Sequence, residues 1–178
     1  MTTDKIYLVG FMASGKSTIA RALSARLRWE SDDIDYLIEG RERMTVAQIF
    51  AKRGEPYFRA VEKEVLAIIQ PLRHIVVATG GGTFADPDNR AAINMDGVSV
   101  WIDVPLVDLI PRIPLDGRRP LAANRAELER LYAARVDAYR LAHIRVSASR
   151  VSSAAVAERI LDTLHQLPPF FERSVPTD

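Results

Sequence analysis

The segment Lys5-Ile6-Tyr7-Leu8-Val9-Gly10-Phe11-Met12-Ala13-Ser14-Gly15-Lys16-Ser17-Thr18 joins a short apolar run to a glycine-punctuated turn. The run Lys5–Val9 reads as a buried parallel strand. Gly10 to Ser17 then match the spacing G-x-x-x-x-G-K-[ST]. Beyond it, Ile19, Ala20, Leu23 and Leu27 recur near helical spacing over residues 16–28. A strand before and a helix after are the context this motif needs. Its glycines let backbone N–H groups turn inward around phosphate oxygens, and the helix N-terminus adds partial positive charge. Ala13, Ser14, Gly15 and Thr18 belong to that cradle. Lys16 is placed to reach the β- and γ-phosphates, and the Ser17 hydroxyl to ligate Mg²⁺. The motif marks an ATP or GTP site and leaves the reaction open: a motor or switch NTPase, a DNA-handling ATPase, or a small-molecule kinase.

Outward from this segment, strands and helices alternate. Trp29–Asp33 reads as a second strand, followed by a helix carrying Tyr36, Leu37 and Ile38. Thr45 is a helix N-cap signal, Gly54 interrupts that helix, and a longer amphipathic one runs through Phe58, Val61, Val65 and Ile69. His74–Ala78, Val98–Ile102 and Ile144–Val146 read as further strands. Asp86–Asn94, a helix opening near Pro105, Glu127–Ala142, and a last helix capped by Ser152 and ending near Leu167 lie between and after them. Alternation of this kind predicts an α/β fold, a parallel sheet with helices on both faces. No repeat or linker divides residues 1–178, so one domain is expected. The Pro- and Gly-containing stretch of about 112–124 reads as a lid, and 168–178, with Phe170 and Phe171, as a loose tail.

Composition narrows the function classes. The 178 residues carry a net charge of +1, which excludes the basic excess of a general nucleic-acid binder. There is no Cys, hence no disulfide or thiolate–metal site. No apolar run approaches the roughly 20 residues of a membrane span, and Asp4 stands where a signal peptide wants a basic flank. A cytoplasmic protein without membrane partners is expected. The 24 basic residues are 20 Arg and 4 Lys. Arg grips planar carboxylates and phosphates through a rigid fork, so Arg residues inside motifs are candidates for anion binding.

Several such motifs follow the phosphate loop. Asp33-Ile34-Asp35 closes the predicted second strand, on the edge that faces the ligand crevice in an open parallel sheet. One carboxylate there can serve Mg²⁺ and the other the proton of an attacking hydroxyl. With Asp32 alongside, a solvated acidic turn is the competing reading. Gly54-Glu55-Pro56-Tyr57-Phe58-Arg59-Ala60-Val61-Glu62 places Arg59 and Glu62 on one helix face, where Glu62 can steer the guanidinium or simply pair with it at the surface. Gly80-Gly81-Gly82 allows a ligand to approach the backbone, or makes a tight turn.

The ordered set of phosphate loop, D-x-D, G-E-x-x-F-R-x-x-E, G-G-G, Arg119-Pro120-Leu121 and an Arg-bearing helix resembles the shikimate kinase family over about residues 5–165. The resemblance implies a three-layer P-loop kinase fold, a five-stranded parallel sheet in the order 2-3-1-4-5 with a mobile lid. It implies transfer of the ATP γ-phosphoryl group to the 3-hydroxyl of shikimate, with Mg²⁺, by a cytoplasmic monomer. By position it makes Asp35 the catalytic and substrate-binding aspartate and Asp33 a metal-side group. Arg59 and Arg135 then grip the substrate carboxylate, beside Gly80, Gly81 and Gly82, within an acceptor region of about 34–62. Arg119 is the lid arginine at the phosphates, Arg112 lies against adenine, and Arg150 falls in the adenine loop. The chain departs from the family pattern at Val136-Asp137-Ala138, where Asp137 adds negative charge near the grip, and at Val146-Ser147-Ala148 in the adenine loop.

Other readings make different demands. A gluconate-type kinase would not need G-E-x-x-F-R, G-G-G and Arg135 together. A non-catalytic binding protein on this fold would tolerate loss of Lys16, Asp35 or Arg119, and all three are present. A nucleic-acid-dependent ATPase would show a basic stripe.

Overall fold

The computed structural model describes residues 3–113 and 124–166. Five parallel strands form one sheet in the order β2-β3-β1-β4-β5. They are β1 (Lys5–Val9), β2 (Glu30–Asp33), β3 (Ile75–Ala78), β4 (Val98–Asp103) and β5 (Ile144–Ser147). The helices are α1 (Lys16–Leu27), α2 (Ile34–Glu42), α3 (Val46–Ile69), α4 (Pro87–Asp96), α5 (Leu106–Leu109), α6 (Arg125–Tyr139) and α7 (Ser153–Gln166). Short 3₁₀ turns cover Thr83–Ala85 and Ile110–Arg112.

Burial follows position in the sheet. Every residue of β1 and β3 is buried, as expected of central strands covered on both faces. The edge strand β5 alternates buried and exposed residues, and the other edge, β2, is the acidic run Glu30-Ser31-Asp32-Asp33. Charge on an edge strand discourages pairing with another chain. The chain moves from β1 to β2 in one direction across the sheet and from β3 to β4 in the other. Right-handed crossovers therefore put α1 and α4 on opposite faces. That reversal opens a crevice above the carboxyl end of β1, where the phosphate-loop sequence begins.

Local signals set the helix boundaries. Thr45 and Gln48 form a reciprocal capping box at the start of α3. Gly54 adopts φ 81° and ψ 170°, so α3 is two helical segments joined at a kink, the break expected there. Asp86 caps α4 through Asp88 N and Asn89 N, and the Ser152 hydroxyl accepts from Ala155 N at 3.2 Å before α7. Asn124 caps α6 by accepting from Glu127 N at 2.9 Å, starting that helix before the expected Glu127.

One expectation is corrected. Asp35 does not close a strand: Asp33 ends β2 and caps α2, accepting from Asp35 N at 3.0 Å, so Asp35 sits in the first turn of a helix. Lys5, the charged residue of the expected buried strand, is paired inside it. It is fully buried, and its ammonium donates to Ile69 O at 3.0 Å, Gln70 O at 2.7 Å and Asp96 Oδ2 at 2.6 Å. The expected lid lies almost wholly outside the described residues, as does the tail. Among the described residues no helix is long and apolar enough to cross a membrane.

Candidate active site

Two adjoining cavities of unequal size open in the crevice.

The larger is built on the loop between β1 and α1. Gly10 has φ 138°, and a Cβ there would meet Ile102 O at 2.8 Å, so only glycine lets the loop pass β4. Ala13 and Gly15 also take positive φ, 61° and 91°. Lys16 is buried, and its ammonium is held at the loop by Gly10 O at 2.9 Å and Phe11 O at 2.8 Å. Ala13, Gly15, Lys16, Ser17 and Thr18 line this cavity, with Arg112 at its rim. Ser14 is buried behind it. The Ser17 hydroxyl donates to Asp33 Oδ2, and both residues face the cavity. One hydroxyl and one carboxylate suit Mg²⁺, a cation that keeps most of its waters and takes few protein ligands. Among the described residues no group of three or more His, Cys, Asp or Glu forms a protein-only metal cage.

The smaller cavity has an apolar wall of Val46, Phe50 and Phe58 and a charged wall of Asp35, Arg59, Glu62 and Arg135. Met12, Asp35 and Gly81 line both cavities, so Asp35 stands at their junction. Asp32 lines neither, which separates it from Asp33 and Asp35 despite their adjacency.

The charged wall is ordered by an ion-pair chain. Glu62 is completely buried on α3. Its Oε1 accepts from the Thr83 hydroxyl at 2.7 Å and its Oε2 from Arg59 Nη1 at 2.9 Å. Glu55, one turn earlier, accepts from Arg59 Nε and Nη2 at 3.2 and 3.1 Å. Burial alone would lower the Arg59 pKa, but Glu62 and Glu55 reverse that and hold it above its ordinary value. Arg135 differs. Burial lowers its pKa, and among the described residues it has no carboxylate at ion-pair distance. It packs over the Phe11 ring at 5.9 Å.

Two of the three consecutive glycines admit these groups closely. A Cβ on Gly80 would stand 2.8 Å from Asp35 Oδ1 and 3.0 Å from Glu62 Oε1, and on Gly82 2.6 Å from Arg59 Nη2. On Gly81 the nearest atom is the Met12 backbone N at 3.3 Å, with Arg135 Nη1 at an ordinary contact distance of 3.4 Å. The glycine run is therefore more than a tight turn.

Most residues singled out from sequence meet here: the loop residues, Asp33, Asp35, Arg59, the three glycines, Arg112 and Arg135. Arg150 does not. Its side chain is 87% exposed, lines neither cavity, and lies 3.9 Å from Asp108 Oδ1. Asp137 is likewise turned away: it is 83% exposed and pairs with Arg140 at 2.6 Å, so its charge does not enter the cavity. Arg119 lies outside the described residues. Sequence reading missed Val46, Phe50, Met12 and Thr79 as lining residues. Apolar side chains carry no chemical signature distinguishing a cavity wall from a core.

A sequence model described as shikimate kinase matches residues 12–165. A shikimate kinase of Sulfurihydrogenibium sp. is 40% identical over 88% of this chain and 95% of its own length. The solved shikimate kinase from Acinetobacter baumannii in complex with shikimate superposes with a TM-score of 0.88 at 32% identity, covering 94% of this chain and 97% of that one. Shikimate kinase from Aquifex aeolicus superposes with a TM-score of 0.83 at 35% identity, over 90% and 96% of the two chains.

Proposed function

Because the chain belongs to the shikimate kinase family, and so transfers the ATP γ-phosphoryl group to shikimate, we propose how its own residues divide that work. The observation carrying the proposal is that a phosphate-loop cavity and an Arg-lined cavity meet at Asp35.

The larger cavity takes ATP. Backbone N–H groups of residues 13–18 receive its phosphates, and Lys16 moves from the loop carbonyls to the β- and γ-phosphates. Ser17 and Asp33 are the groups that would hold Mg²⁺. When bound, the ion neutralises charge on the phosphates. Arg112 closes the nucleotide side, and Arg119 is assigned to the transferring group by its motif alone. Arg150 is left without a supporting contact.

Shikimate takes the smaller cavity. Arg59 and Arg135 receive its carboxylate, and the Phe50–Phe58 wall covers the ring. Bidentate guanidinium contacts from two helices fix the ring's orientation. Asp35 accepts the proton of the 3-hydroxyl as that oxygen bonds to the γ-phosphorus. The bond from phosphorus to the β–γ bridging oxygen breaks, and ADP leaves. Holding the two oxygens in line is most of the catalysis such a transfer needs.

Residues 34–62 serve as the acceptor region of a single domain. Use of ATP supports a cytoplasmic location. A coupled ADP-release assay with Mg·ATP and a panel of hydroxy acids tests the reading. Stimulation by shikimate is expected. Stimulation by gluconate or a nucleoside monophosphate, with none by shikimate, overturns the assignment.

A further inference from the structure

Arg59 is held by Glu55 and Glu62, yet all three side chains stand on α3. Residues three and four apart on one helix orient one another and nothing outside that helix. A guanidinium that must meet a carboxylate at one angle also needs its helix registered against the rest of the cavity. The Gly80–Gly82 turn lines that same cavity.

Thr83, the first residue after the glycines, joins the two. It is fully buried and lines neither cavity. Its backbone N–H donates to Gly80 O at 3.2 Å, closing the turn on itself. Its hydroxyl donates to Glu62 Oε1 at 2.7 Å, 21 residues back in sequence. The other Glu62 oxygen accepts from Arg59 Nη1 at 2.9 Å. A carboxylate paired with a guanidinium only accepts, so the proton of this bridge comes from Thr83. Threonine is short and branched at Cβ, which makes its hydroxyl a stiffer anchor than the longer glutamate. A Cβ on Gly80 would stand 3.0 Å from both Glu62 Oε1 and Thr83 Oγ1, so a bare glycine lets the bridge form against the turn. Lys63 also joins α3 to the chain beyond the turn, through Asp86 at 3.3 Å and Asp88 at 3.0 Å. That side chain is 43% exposed, and an exposed ion pair fixes little.

We propose that Thr83 is a positioning residue for the acceptor carboxylate: its hydroxyl ties the Glu62–Arg59 pair of α3 to the Gly80–Gly82 turn and so sets the angle at which Arg59 meets the substrate. The inference rests on the reading of Arg59 as a carboxylate ligand. Lining neither cavity, Thr83 acts through Arg59.

The test uses steady-state rates and thermal melts on the full chain. Thr83→Val keeps the shape and removes the hydroxyl. It is expected to raise the KM for shikimate about tenfold, the scale of one hydrogen bond to a charged group, with the KM for ATP unchanged. Thr83→Ser keeps the hydroxyl and removes a buried methyl. It is expected to melt at a lower temperature than the parent and yet keep the parent's shikimate KM. An unchanged shikimate KM in Thr83→Val, a KM that simply follows melting temperature across the two variants, or an equal rise for both substrates overturns the role given to Thr83. In an Arg59→Ala background Thr83→Val is expected to add nothing, and additive losses overturn the proposal. An unchanged shikimate KM in Arg59→Ala overturns the reading of Arg59 instead. Lys63→Met cuts only the exposed link and is expected to leave both KM values unchanged; a rise equal to that of Thr83→Val counts against Thr83. If Thr83→Val does not melt cooperatively, Thr83→Ala removes the same hydroxyl and carries the comparison. Its shikimate KM must then rise with no change for ATP.

Discussion

Asp35 is the one carboxylate among the described residues that lines both cavities, and two changes separate the role proposed for it from that of Arg59. A positioned general base contributes roughly 10²–10⁴ in rate. Asp35→Asn is therefore expected to lower kcat by about 100-fold or more while ATP affinity by titration stays near normal. Unchanged turnover would remove Asp35 from proton transfer. Arg59→Ala should act on the other substrate. Loss of a bidentate contact predicts a shikimate KM raised by more than about tenfold, with the KM for ATP intact. It also strips the ion-pair partner from Glu62, which is fully buried. Leaving a buried carboxylate unpaired costs about 3 kcal/mol, so the melting temperature should fall as well. Equal loss of both substrates would contradict the assignment. Sequence reading found Asp35 and Arg59 because charged groups at motif spacing are chemically conspicuous. It placed Asp35 on a strand because Asp33 also caps α2, so strand and helix meet with no loop between them.

Among the elements, the glycine-bearing connections decide how closely charged groups approach. They also predict two different failures for one kind of substitution. In Gly82→Ala the added carbon meets the end of the Arg59 side chain, 2.6–2.8 Å away. A flexible side chain can move aside, so a raised shikimate KM with little change in melting temperature is expected. In Gly10→Ala the carbon meets the Ile102 backbone carbonyl at 2.8 Å, on a residue with φ 138°. Neither the backbone nor that torsion yields cheaply, so this variant should lose cooperative melting or drop sharply in stability. Reversal of the two outcomes would show that the loops are more plastic than their geometry implies. The glycines were visible in sequence, but which group each one admits was not. Gly80, Gly81 and Gly82 face residues from α2, α3 and α6.

The whole molecule carries a second charged cluster at the opposite end of the sheet. Lys5 joins β1 to the last carbonyls of α3 and to Asp96 at the end of α4. Tyr7 Oη donates to the same Asp96 oxygen at 2.5 Å, and Arg73 reaches the other at 3.2 Å. A cation at a helix C-terminus is favoured by the helix dipole. Lys5→Met is expected to lower stability by about 2–4 kcal/mol in urea titration, with kcat/KM unchanged because the site lies at the other edge. A parallel loss of activity would show that the two ends are coupled. A pH dependence is also built in. His143 Nδ1 accepts from Ser99 N at 3.1 Å, which only an unprotonated nitrogen can do. Burial lowers its pKa below the ordinary 6.5. As pH falls through 6.5 the unfolded chain takes up the proton first, so the stability contribution is intact above that value and is lost progressively below it. Urea midpoints should drop between about pH 7 and pH 5.5, and His143→Gln should flatten that slope.

Order along the chain was enough to establish the parallel α/β sheet, the phosphate loop and the family. Hydrophobic period, caps and glycine–lysine spacing are local, and local preferences act before any tertiary contact forms. Tertiary structure alone decided which carboxylate stands between the cavities, which arginine is clasped and which is not, and that Arg150 and Asp137 face solvent. Those outcomes depend on the relative placement of α2, α3, α6 and the Gly80–Gly82 turn, residues 20 to 100 positions apart brought to within a few ångströms by a shared core.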